Sequence, residues 1–80
     1  MFEDQLKEIF KILFNINERE IEMNDSPSTI PQWDSLAHLK LIIEIEDRFK
    51  IKFKTEEIPE LVTVKKILDR IYEIKTKEEK

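Results

Sequence analysis

Cysteine and glycine are both absent from this chain of 80 residues, and histidine occurs once, as His38. Without cysteine there is no disulfide, no thiolate nucleophile and no zinc–cysteine site. One histidine leaves little for a metal cluster or a catalytic pair, so neither metal ligands nor catalytic residues are expected. Without glycine, any left-handed backbone position must be taken by a residue that resists it. That favours a mainly helical chain with extended connections. Long apolar runs are missing too. None approaches the roughly 20 residues that a membrane crossing needs, and the opening "MFEDQ" lacks the basic start and apolar core of a signal peptide. A cytoplasmic protein with no direct membrane insertion is expected.

Acidic residues outnumber basic ones, 18 to 14, for a net charge of −4. A nucleic-acid binder normally shows a basic face, so that class is disfavoured, and partners with positive surfaces are favoured. A chain this short buries only about 60% of its extended surface and has no room for a deep cleft between lobes. A small enzyme is a poor reading: there is no glycine-rich phosphate loop and no paired acids with an apparent pocket. A helix-turn-helix DNA binder is equally poor, because a long loop stands where a tight turn is needed.

Apolar residues Leu6, Ile9, Phe10 and Leu13 recur at helical spacing, which predicts a first helix over residues 2–14. From Asn15 to Trp33 the pattern stops and turn formers dominate. Ile16, Ile21, Met23, Ile30 and Trp33 punctuate this long connection and should pin it to the helices. Asp34 is a favoured N-cap for a second helix running to Phe49. The following "KIKFK" alternates like a strand but has no partner strand, so an extended loop is expected. Thr55 should cap a short helical turn that Pro59 keeps short. Thr63 should cap the last helix, whose stripe is Val64, Ile67, Leu68 and Ile71, with Val62 and Ile67 placed as a hydrophobic staple. The expected fold is all-α, a small four-helix bundle of three main helices and one short one, with a long loop between helices 1 and 2. One domain spans residues 1–75, and residues 76–80 form a charged flexible tail.

The second helix carries two apolar stripes. Leu41, Ile42, Ile45 and Phe49 form a core stripe, with His38 among them at the first turn. Leu36, Leu39 and Ile43 form another, well over a quarter turn away. A bundle helix needs only one wide stripe. Either the helix is wedged between two neighbours, or the second stripe is exposed and docks partners. Ser35 sits at the first helical position behind the Asp34 cap, where free backbone N–H groups and the helix dipole favour a phosphate.

"DSL" at residues 34–36, the long loop before it, "LIIEIEDRFKIKF" after it and "TVKKILDRI" near the end together resemble the acyl and peptidyl carrier protein family. The resemblance covers residues 3–75. It implies that Ser35 carries 4′-phosphopantetheine through a phosphodiester, with cargo held as a thioester on the terminal thiol. Asp34 would cap the helix and help a phosphopantetheinyl transferase orient the serine and its metal-bound coenzyme A. Leu36, Leu39 and Ile43 match the family's partner-facing positions, with Lys40 beside them. Further partners would be an acyl- or aminoacyl-loading ligase and a downstream transferase or synthase; the carrier itself would be a non-catalytic monomer. The alternative is an unmodified helical interaction module that uses the Leu36, Leu39 and Ile43 surface.

Several residues depart from the general fatty-acid carrier. Trp33 makes "WDSL", which is more like stand-alone carriers of other pathways, D-alanyl carrier proteins among them. Ala37 and Lys40 stand where acidic residues are usual, a mismatch that rejects the wrong partner. This points to a dedicated pathway. His38 lies where the family can admit an acyl chain between helices. Burying an imidazole without a partner costs about 1–3 kcal/mol, which argues for short, polar or aminoacyl cargo. Lys50 stands where Gly, Asp or Asn often ends the second helix. A left-handed lysine is strained, so the helix is expected to end without that turn.

Overall fold

The structure is a computed structural model and describes residues 2–78. It has four helices: α1 (Phe2–Phe14), α2 (Ser35–Phe49), a short 3-10 helix (Thr55–Glu60) and α3 (Val64–Glu78). Among the described residues there is no strand, and residues 51–54, within "KIKFK", form a connection without regular structure, extended at Lys54. The expected tail falls partly within α3, which continues to Glu78; Glu79 and Lys80 lie outside the described residues.

The predicted stripes meet in one core. Leu6, Ile9 and Phe10 of α1, Leu41, Ile42 and Ile45 of α2, and Val64, Ile67 and Ile71 of α3 are all buried. Burial of such a side chain stabilises by about 1.5–3 kcal/mol. Phe2 closes one end of the bundle, with its ring 5.5 Å from Phe49 and 5.0 Å from Tyr72.

The long loop is built into this core. Ile16, Ile21, Ile30 and Trp33 are buried, and Met23 packs against them. The backbone adds a second attachment. The first N–H groups of a helix lack intrahelical acceptors, and here Val64 and Lys65 donate to the carbonyls of Asp25 and Met23, at 3.1 and 2.9 Å. The Thr63 hydroxyl accepts from the Lys66 amide at 3.0 Å, the expected cap. At the other end of the loop, Gln32 donates to the Phe14 carbonyl and so covers the end of α1.

Two local expectations need correction. Thr55 does not cap the 3-10 helix. Lys54 holds that position, and its backbone N–H donates to the Glu57 carboxylate at 2.7 Å. A side chain three residues ahead, folding back onto the backbone, replaces the hydroxyl cap. Nor does α2 end without a left-handed turn. Lys50 adopts φ 58°, ψ 50°, and its N–H reaches the Glu46 carbonyl. Ile51 donates to the same carbonyl at 3.1 Å and is itself buried. Burying Ile51 requires the chain to reverse here, and with no glycine available the lysine takes the strain.

Candidate functional site

The N-terminus of α2 is set by Asp34. Its backbone is extended, and its side-chain oxygen accepts from the Ala37 amide at 2.8 Å. The first intrahelical bond runs from the His38 N–H to the Asp34 carbonyl, also 2.8 Å. The Ser35 and Leu36 amides lie ahead of that bond and point along the helix axis at the positive end of the dipole. Ser35 is exposed. A hydroxyl is thus presented to solvent where an attached phosphate would be favoured.

Leu36, Leu39 and Ile43 are 65%, 54% and 65% exposed. The helix is therefore not wedged between two neighbours; its second stripe faces solvent, with Lys40 exposed beside it. The core stripe behaves as expected, with Leu41, Ile42, Ile45 and Phe49 buried.

Beside Ser35 lies an open, largely apolar groove of about 560 Å³, with Pro27, Leu39, Ile58, Pro59 and Val62 among its lining residues. Trp33 and His38 form its inner side. The sequence reading of His38 as an imidazole without a partner is overturned. Trp33 Nε1–H donates to His38 Nδ1 at 2.9 Å, and His38 Nε2 lies 2.8 Å from the Ile58 carbonyl oxygen. An indole nitrogen only donates, so Nδ1 is the acceptor and Nε2 carries the proton given to Ile58. Both ring nitrogens are satisfied. Trp33 is 2% exposed, and its ring packs 5.1 Å from Phe10 and 5.9 Å from His38.

Two further features escaped the sequence reading. Asp25 is 4% exposed and sits at the centre of the long loop. It accepts from Arg19, from the Thr29 hydroxyl at 2.6 Å and from the Glu22 amide at 2.8 Å. Burial alone would push its carboxyl up, but the bonds from Arg19, Thr29 and Glu22 outweigh it and hold the pKa at about 2. Glu57 of the 3-10 helix pairs with Arg70 of α3 at 2.6 Å. There too burial is outweighed by the bonds from Arg70 and the Lys54 amide, and the Glu57 carboxyl lies below its ordinary value. In both cases an isolated Asp or Glu in the sequence gave no sign of its partner.

No model of a known protein family matches the sequence. The fold does have a relative. The chain is similar to the solution structure of a holo acyl carrier protein from Geobacter metallireducens, with a TM-score of 0.85 and 30% sequence identity. The match covers 96% of this chain and 88% of that one. The chain belongs to the acyl carrier protein family. As a member it is a carrier and not an enzyme. No helix among the described residues is long and apolar enough to cross a membrane.

Proposed function

We propose that this acyl carrier protein holds an acyl or aminoacyl group as a thioester on 4′-phosphopantetheine attached to Ser35. The observation that carries the reading is the exposed Ser35 hydroxyl at the first position of α2, directly behind the Asp34 cap. The local chemistry suits the group: an open helix N-terminus for the phosphate and an apolar groove alongside. When bound, the group supplies a thiol on a long flexible arm. Asp34 keeps the helix start in place, and its exposed position leaves its carboxylate within reach of the phosphopantetheinyl transferase.

The partner surface is Leu36, Leu39 and Ile43, with Lys40 at its edge. Exposed apolar residues grouped on one helix face suit docking. Successive partners would be the transferase, a loading ligase and a downstream transferase or synthase, and tethering raises the cargo's effective concentration at each. Ala37 and Lys40 replace acidic charge on this face, which supports a dedicated pathway in the cytoplasm over general fatty-acid synthesis. Residues 1–75 make up the carrier domain. Incubation with a phosphopantetheinyl transferase, Mg²⁺ and coenzyme A, followed by an intact mass, tests the attachment. One addition is expected, and none in Ser35→Ala. No addition with several transferases would leave the same surface as that of an unmodified interaction module.

A further inference from the structure

The 3-10 helix is fastened on two sides. Toward α2, the Ile58 carbonyl accepts from His38 Nε2 at 2.8 Å. Toward α3, Glu57 pairs with Arg70 at 2.6 Å, and both side chains are mostly shielded. His38 is fixed in turn by Trp33, whose ring is locked between Phe10 at 5.1 Å and Phe14 at 6.1 Å. One imidazole therefore joins the long loop, α2 and the 3-10 helix at the inner wall of the groove beside Ser35. Widening that groove by parting α2 from the 3-10 helix would break the His38–Ile58 bond. That would strip the half-buried Ile58 carbonyl and His38 N–H of their partners beside a largely apolar groove, at a cost.

We infer that His38, held by Trp33 and Ile58, bars cargo from the core and so selects short or polar acyl groups, which gain little from being shielded. A long alkyl chain left at the surface forfeits the burial that would reward it. His38 acts through position, by keeping two elements together, and the inference rests on Ser35 carrying the arm.

The test compares acetyl- and octanoyl-phosphopantetheine forms, made with a transferase and the matching acyl-coenzyme A and checked by intact mass. Backbone amide spectra of the two are then overlaid. In the native protein the differences should stay at Ser35, Leu39 and Val62, with Leu41, Ile45, Leu61 and Ile67 unmoved. In His38→Val the octanoyl form should shift those core amides. Trp33→Phe keeps an aromatic ring in place but removes the N–H together with part of the indole; it should show the same core shifts even if His38→Val fails to fold. Core shifts in the native octanoyl form equal to those of the variants would overturn the inference, as would unmoved core amides in every variant. If the mass shows no arm at all, the carrier reading itself has failed.

Discussion

Arg19 grips both carboxylate oxygens of Asp25, at 2.9 and 3.0 Å, and this pair organises the loop that leads to α2. The Asp25 backbone carbonyl also receives the Val64 N–H, so the pair ties the loop to α3. The native carboxyl sits at about 2 against an ordinary value of 3.8. A depressed native value means that the stabilisation is fully present above the ordinary value. It is lost as pH falls through the window from 3.8 to about 2, in line with proton linkage. Asp25→Asn should lose about 1–3 kcal/mol at neutral pH and flatten the acid limb of the stability curve. Urea titrations across that window check both effects.

The two stripes of α2 should separate stability from recognition. Leu36→Ala and Ile43→Ala remove exposed side chains and should change unfolding free energy by no more than about 0.5 kcal/mol, while slowing loading by the transferase or ligase. Leu41→Ala, in the fully buried stripe, should cost about 2–5 kcal/mol. Lys40→Glu should speed service to a general fatty-acid synthase without altering stability. Comparable native rates beside an ordinary fatty-acid carrier would contradict the dedicated-pathway reading.

Lys50 is a strained position in a chain with no glycine to relieve it. Its left-handed backbone costs a non-glycine residue about 1–2 kcal/mol. Lys50→Gly should therefore raise stability, by about 1 kcal/mol after the entropy of glycine is counted, and Lys50→Ala should not. Denaturant midpoints distinguish the two. The other left-handed residue, Asn15, is of a type that tolerates the conformation and offers no such gain.

Much of this was legible in the sequence because helical periodicity is a local signal. The spacing of Leu6, Ile9 and Phe10, or of Leu41, Ile42 and Ile45, marks a buried face before any partner is known. The caps at Asp34 and Thr63 are local as well. Harder to read were contacts between residues far apart in the chain. His38 meets Ile58 across 20 positions, and Arg70 meets Glu57 across 13; neither has a spacing rule. The left-handed turn at Lys50 was hidden for another reason: intrinsic preference argued against it, and burial of Ile51 overrode that preference. The exposure of Leu36, Leu39 and Ile43 could be posed from the sequence only as an alternative, because two stripes on one helix fit either two neighbours or one.

The central claim is that Ser35 bears the arm, and the chain offers two other serines, Ser26 and Ser28, on the same long loop. Fragment-mapping mass spectrometry of the transferase-treated protein tests it most directly. A single phosphopantetheine on the peptide holding Ser35, lost in Ser35→Ala, is the predicted result. An unmodified Ser35 peptide, or the group found on Ser26 or Ser28, would contradict it.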